Sequence, residues 1–264
     1  MDRLRIVTLN IWNRQGPWDQ RLALIRQGVS ALQPDVVGLQ EVLYFEGASQ
    51  AHAIADGLGY EIAYGKAYEL GGGVLFGNAV LSRYPITASE VFPLPNGGST
   101  ETRTLLSATL ASPFGALPFF VTHLNWKFHE GVVREAQVVE IARVIKQTAP
   151  VRGVPPVLVG DFNAQPESAE IRYLKGLTSL AGTSTYFDDC FEHAGEGPAI
   201  TFDADHNPYA ATTREYPRRI DYVFVRGPDM HGRGKPLRAR VVMSDLVDGV
   251  AASDHYGVMA DIAM

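Results

Sequence analysis

The chain has 264 residues, with 23 Lys and Arg against 29 Asp and Glu, a formal charge of −6. Its 46% hydrophobic and 20% charged content is that of a folded globular protein, not a disordered chain. The acidic balance argues against tracking long nucleic acid through non-specific phosphate contacts, and the single cysteine, Cys190, excludes an intrachain disulfide and disfavours a thiolate zinc site.

Residues 5–10, Arg-Ile-Val-Thr-Leu-Asn, read as a strand ending in a polar residue. They follow the N-terminus with no long apolar core of a signal peptide, and no run approaches 18 apolar residues, so a cytoplasmic protein without a membrane span is expected. Over 19–32, Leu22, Ile25, Val29 and Leu32 recur at helical spacing, and Pro34 ends that helix. Val36 to Leu39 form a buried strand followed by Gln40 and Glu41. Strand, helix and strand within about 40 residues predict a layered α/β fold.

A second helix is expected over 48–57, then short strands at 60–64, 72–76, 79–82, 104–110 and 117–122. Residues 130–147 give the longest helix, with Val133, Val138, Ile141 and Ile145 on its apolar faces. Val157-Leu158-Val159 is an interior strand, and two more run from Ile220 to Val225 and from Gly257 to Ile262. The stretch 183–219 is irregular and rich in Asp, His, Pro, Gly and Arg, which predicts a functional loop region. A buried strand ending in Gln40-Glu41 in one half is echoed by one ending in Gly160-Asp161 in the other. Two packed sheets with helices outside would explain the echo.

Polar groups stand at the ends of the apolar strands: Asn10, Glu41, His123, Asp161, and the pair Asp254-His255 before the last one. Asp221 opens another. Taken singly, an Asp or Asn beside a strand is usually a turn former. Together, Asn10, Glu41, Asp161 and Asp254 offer an oxygen-rich set suited to a hard ion such as Mg²⁺. A hard ion beside His123 and His255 points to phosphoryl chemistry, where charge on non-bridging oxygens must be offset and a nucleophile aligned. Asp161-Phe162-Asn163 adds a carboxylate and an amide on one face if extended.

These residues lie in short blocks: Thr8-Leu9-Asn10, Pro34 to Val42, Gly77 to Arg83, Thr122-His123-Leu124-Asn125, Gly160-Asp161-Phe162-Asn163, Arg219 to Val223, and Ser253-Asp254-His255. In this order, over residues 8–257, they resemble the endonuclease/exonuclease/phosphatase superfamily, which includes pancreatic-type deoxyribonuclease, exonuclease III-like repair enzymes, neutral sphingomyelinases, tyrosyl-DNA phosphodiesterases and inositol polyphosphate 5-phosphatases. The resemblance implies a four-layered α/β sandwich, two packed mixed β-sheets flanked by helices, as one domain over 1–264. It implies Glu41 as the principal metal ligand with Asn10 beside it, and Asp254 at a second metal position or in the hydrogen-bond network.

By the same resemblance, Asp161 positions or deprotonates the attacking water and Asn163 contacts phosphate or nucleophile. His255 contacts the reacting phosphate, oriented by Asp221, since a carboxylate fixes an imidazole's tautomer and stabilises its charge. His123 contacts phosphate or donates a proton. Arg103 resembles a family arginine facing the site, with a salt bridge to an acidic neighbour the equal alternative. Asn125 falls in the same class of substrate contacts. Arg214 and Arg218, around Tyr216-Pro217, form either a substrate-facing basic patch or a solvated loop.

The expected activity is Mg²⁺-dependent phosphoester hydrolysis, with Mn²⁺ as a substitute. The substrate is a small molecule, a lipid head group or nucleic acid, and no obligate protein partner is evident. A DNA endonuclease or end-processing enzyme, a sphingomyelinase-like or phosphoinositide enzyme, and a non-catalytic phosphate-binding module are the alternatives. The lack of a duplex-binding insert, and of a tyrosine at the His123 position, weighs against abasic-site repair.

Overall fold

A computed structural model describes residues 2–149 and 152–264. In the first half, β1 (Arg3–Asn10), α1 (Trp18–Leu32), β2 (Val36–Phe45), β3 (Ala48–Ser49), α2 (Gln50–Ala55), β4 (Glu61–Gly71), β5 (Val74–Ser82) and β6 (Ile86–Pro93) follow one another. Next come β7 (Thr104–Ser112), β8 (Gly115–His123), α3 (Gly131–Thr148), β9 (Val157–Asp161), α4 (Ala169–Leu174), β10 (Asp188–Asp189) and α5 (Cys190–Ala194). The chain closes with β11 (Gly195–Glu196), a 3₁₀ turn (Ala210–Thr213), β12 (Asp221–Val225), β13 (Pro236–Val242) and β14 (Gly257–Ala263).

Among the described residues these strands form two mixed sheets. One runs β11-β13-β14-β1-β2-β5-β4 with β3 on β2, and the other β10-β12-β9-β8-β7-β6. Each is built round a parallel pair joined by a helix: β1 and β2 through α1, β8 and β9 through α3. The echo between Gln40-Glu41 and Gly160-Asp161 thus falls on equivalent strands, at the end of β9 but inside β2, which continues to Phe45.

Burial on both faces explains the near-continuous apolar text of these strands. Leu4 and Ile6 of β1, Val157 and Val159 of β9, and Val223 and Val225 of β12 point between the sheets. Val7 and Leu9 pack outward against Ile25 and Val29 of α1 and Ile54 of α2. Leu158, Tyr222 and Phe224 pack outward against Ile141 and Ile145 of α3 and Ile171 of α4. The four-layered sandwich flanked by helices is therefore the observed architecture.

The strands expected at 72–76 and 79–82 are one, β5, because Gly77 lets it run flush against β4. A Cβ at Gly77 would lie 1.9 Å from the Gly65 carbonyl oxygen. Strands β6 and β13 escape the alternation test, β6 because most of its side chains are exposed. The second helix is shorter than expected, and the 183–219 stretch holds only short elements. Cys190 is buried at the start of α5; burial, then Asp189 and Asp188, push its thiol well above its ordinary range. No helix among the described residues is long and apolar enough to cross a membrane.

Gly38 of β2 sits where the sheets touch. A Cβ there would meet Val159 Cγ2 at 2.4 Å and Val121 Cγ2 at 3.1 Å. The Gly38→Ala variant is expected to lose about 1–3 kcal/mol through overpacking, visible as a lower thermal midpoint by circular dichroism. An unchanged midpoint would contradict such close contact between the sheets.

Candidate active site

Side-chain alternation carries the functional residues into one place. Along β1, Leu4, Ile6, Thr8 and Asn10 share a parity, and along β8 so do Leu117, Phe119, Val121 and His123. On β9 the series Val157, Val159, Asp161 does the same, as does Asp221, Val223, Val225 on β12. The apolar members of each series face the inter-sheet core. The polar member at each strand end therefore lies at the edge of that core, itself buried.

Glu41 is the exception and needs a device. Strict alternation would place it on the outer face with Leu39. The pairing of β2 with β5 slips between Leu39 and Val42, and Glu41 adopts φ 59°. Leu39 and Val42 both stay in the outer core, so the bulge turns Gln40 and Glu41 inward together. Gln40 is satisfied by Thr8, its Nε2 donating to Thr8 Oγ1 at 3.1 Å. A non-glycine residue held in the left-handed region is strained, and such strain concentrates at functional sites.

Asp161 Oδ2 is the meeting point. Asn10 Nδ2 donates to it at 3.0 Å and to Glu41 Oε1 at 3.3 Å, linking the carboxylates of the two sheets. His123 Nε2 and His255 Nε2 lie 3.4 and 3.6 Å from the same oxygen. Asp161 Oδ1 accepts from the Asn163 backbone N–H at 2.9 Å. Burial pushes the Asp161 carboxyl up from its ordinary range, Asp221 adds to this, and His255, Asn10 and the Asn163 N–H act against it.

The two histidines are held in opposite states. Burial alone would depress His255, but Asp221, Asp161 and Asp254 outweigh it and raise its pKa well above the ordinary value. Its Nδ1 lies 3.0 Å from Asp221 Oδ2, so both ring nitrogens face carboxylates. Burial lowers His123 well below its ordinary value, with Arg103 and His255 adding to the effect. Arg103 Nη1 lies 3.2 Å from His123 Nδ1 and so donates to a neutral ring. Arg103 also pairs with Glu101 at 3.3 Å, while its Nε, buried at the cleft, has no hydrogen-bond partner.

On the other side, Glu41 Oε2 accepts from Asn13 Nδ2 at 2.9 Å. Ser253 Oγ lies 2.7 Å from the Asn10 carbonyl and 3.1 Å from Asp254 Oδ1. Burial raises the Asp254 carboxyl; Glu41 adds to the rise, and His255 opposes it. The 199–219 segment secures this corner. Asn207 Nδ2 donates to the Ser253 carbonyl at 2.8 Å, and Thr201 Oγ1 accepts the backbone N–H of Ile220 and Asp221.

Glu41, Arg103, His123, Asp161, Asn163, Arg218, Asp254 and His255 line one cleft of about 470 Å³. Asp221 lies behind His255, wholly buried. Asn10 presents its N–H face to the carboxylates while its Oδ1 accepts the Trp12 N–H at 3.0 Å. Arg218 pairs with Glu215 and lies over the rings of Phe128 and Phe202. Of two further expected substrate contacts, Asn125 lies elsewhere, and Arg214 is exposed on the loop between the cleft-lining Thr213 and Glu215. Asn125 is buried outside the cleft lining, with its amide engaged by Ser99, Glu130 and the Lys127 N–H, and Arg214 caps the 3₁₀ turn in a left-handed conformation.

Sequence reasoning passed over Asn13, Arg21 and Gln50. Arg21 carried a signal: it stands four residues before Ile25 and eight before Val29, on the buried stripe of α1. An arginine in such a stripe needs acceptors, and the hydrogen bonds of Arg21 all go to the 11–15 loop.

The family model described as "Endonuclease/Exonuclease/phosphatase family" matches residues 7–255. The chain belongs to this family, whose members are hydrolases acting on phosphoesters and generally use divalent metals. It is 28% identical over 261 residues to the uncharacterized protein YbhP of Escherichia coli strain K12, covering 91% of this chain and 92% of that one. The fold is also that of an endonuclease/exonuclease/phosphatase from Bacteroides vulgatus, at 22% identity, a TM-score of 0.77 and full coverage of both chains. D. rerio TDP2, solved complexed with single strand DNA product, shares the fold at 21% identity and a TM-score of 0.73, again with full coverage of both.

Proposed function

We propose that the protein is a Mg²⁺-dependent hydrolase of small phosphodiesters, with Mn²⁺ as a substitute ion. The observation that carries this reading is the junction at Asp161 Oδ2, where Asn10, His123 and His255 converge beside Glu41.

The donor chemistry supports a cation at Glu41 and Asp254. Asp161, Asp221 and His255 lie close enough to surround an ion, within 4.8 Å of one another. Both nitrogens of that imidazole already face carboxylates, however, so the ring has no nitrogen left to give an ion. Glu41 and Asp254 are different: two oxygen donors, of which Glu41 raises the cost of ionising Asp254, the pattern a hard divalent ion relieves. A bound ion would offset charge on the phosphate's non-bridging oxygens.

The chain's own groups supply the rest. Asp161 Oδ2, its other oxygen fixed by the Asn163 N–H, accepts a proton from the attacking water as the water oxygen bonds to phosphorus; the P–O bond to one alcohol breaks, and the departing alkoxide takes a proton from solvent. The His255 imidazolium, held by Asp221, directs its Nε2 proton toward the cleft and stabilises charge developing on phosphate oxygen. Neutral His123 and the guanidinium of Arg103 line the opposite wall.

Charge at the mouth supports a small substrate. Arg103 pairs with Glu101, Lys127 with Glu130 and Arg218 with Glu215, so these cations are already matched before any polyanion arrives. One observation favours a second reading, a DNA-end-processing phosphodiesterase: Trp126 and Phe128 stand more than half exposed near the cleft, where bases could stack.

The test is a screen with Mg²⁺ or Mn²⁺ over bis(p-nitrophenyl) phosphate, single-stranded DNA, sphingomyelin and phosphoinositides. Turnover of the small diester well above the others is expected. Preference for DNA ends would select the second reading, and no hydrolysis of any member would overturn both.

A further inference from the structure

The geometry points to Arg21 as a positioning residue for Glu41, acting through the 11–15 loop and Asn13. Arg21 is fully buried in a protein where most arginines reach solvent. Its Nη1 donates to the Gln15 carbonyl at 2.9 Å and the Asn13 carbonyl at 3.4 Å, and its Nη2 to the Ile11 carbonyl. The guanidinium is also flanked by the rings of Trp12 and Trp18, at 5.0 and 5.5 Å to their centroids. One side chain thus gathers three carbonyls of a five-residue loop, with donors spread over two nitrogens of a planar fork where an ammonium has a single point.

The loop needs such a clamp. Trp12 and Asn13 adopt φ of 52° and 39°, a left-handed pair with no glycine between them. That conformation costs energy at each residue and persists only where surrounding contacts over-determine it. Its consequence is direct: Asn13 is turned so that its Nδ2 donates to Glu41 Oε2 at 2.9 Å.

Gln50, buried at the start of α2, completes the arrangement. Its Nε2 donates to the Asn13 carbonyl at 2.9 Å, and its Oε1 accepts the Leu43 N–H at 2.9 Å. Leu43 lies just past the bulge that turns Glu41 inward. The two outer helices therefore hold both approaches to Glu41, α1 through Arg21 and α2 through Gln50. Asp254 and Glu41 also lie within electrostatic reach of Arg21.

Two readouts test this on the full chain. Hydrogen exchange reports the clamp without any metal. Arg21→Met, which keeps the apolar stem and loses the fork, is expected to strip protection from the amides of residues 11–15 while β1 and β9 keep theirs; Arg21→Lys should not restore it. Calorimetric Mn²⁺ binding reports the consequence for Glu41, and this arm rests on the metal-dependent reading above. Arg21→Met and Asn13→Ala should each weaken Mn²⁺ binding about tenfold or more, as loss of groups supporting metal ligands does.

Combining the two changes should add little, because both act through one contact. Unchanged exchange in the loop, Mn²⁺ affinity within twofold of wild type, or full additivity would overturn the assignment. If Arg21→Met fails to fold, Asn13→Ala, at a half-buried position, carries the metal arm. If the wild type binds no Mn²⁺, the metal reading fails, and the clamp stands or falls on the exchange result.

Discussion

Replacing Asp161 with Asn is expected to lower kcat on a phosphodiester substrate by about 10³-fold, with KM changed far less, since general-base assistance contributes roughly 10²–10⁴. The substitution is close to isosteric. The remaining carbonyl can still accept the Asn163 N–H that Asp161 Oδ1 accepts at 2.9 Å, so the loop after β9 should keep its shape. What disappears is the basic oxygen facing Asn10, His123 and His255. Steady-state kinetics with saturating Mg²⁺, beside a thermal melt to confirm folding, decide the matter. A kcat within tenfold of wild type would place the base elsewhere.

The His255→Ala variant should show a comparable loss, and the double variant should be little worse than the poorer single one. Groups that act as a unit are strongly non-additive, and Asp161, His255 and Asp221 form one buried, charge-linked chain. Additive losses would mean that the two residues serve separate steps.

The second large effect is expected from Glu41→Gln: a loss of activity of about 10²–10³-fold, of the size seen when one charge-stabilising group leaves a site. The loss should be accompanied by a metal titration shifted to higher concentration. Gln is the informative change, because Ala at this left-handed position would confound loss of the carboxylate with altered strain. The wild type should lose activity with chelator and regain it with Mg²⁺ or Mn²⁺. Activity indifferent to chelation, or an unshifted titration in the variant, would sink the assignment of Glu41 and Asp254 to the cation. A melt of the metal-free variant serves as control. Asn10 and Asn13 both donate to Glu41, so a cooperative transition near the wild-type midpoint is needed before the kinetics are read.

Much of this was legible in the sequence because period-two alternation is a local property of the chain. Once Leu4 and Ile6, or Val157 and Val159, face one core, Asn10 and Asp161 must share their face at the strand end. That rule, with apolar runs at strand and helix length, yields the layered fold and brings Asn10, His123, Asp161 and Asp221 together. It misses β6, whose exposed side chains carry no apolar period. It also divides β5 at Gly77, where a glycine serves close backbone approach and not a turn.

Other features of the site came only from tertiary structure, for a physical reason in each case. Glu41 lies on the wrong parity and reaches the cleft through a bulge fixed by pairing with β5. Asn125 carries suitable chemistry, yet its amide is engaged by Ser99, Glu130 and the Lys127 N–H outside the cleft lining. Arg21 and Gln50 belong to no motif, and their role arises because two outer helices pack where the 11–15 loop and β2 meet. The sequence by itself determined which residue types end the strands and which face they share. Only the packing of distant segments decided which oxygens meet, in which direction burial and neighbours push each histidine, and what surrounds Glu41.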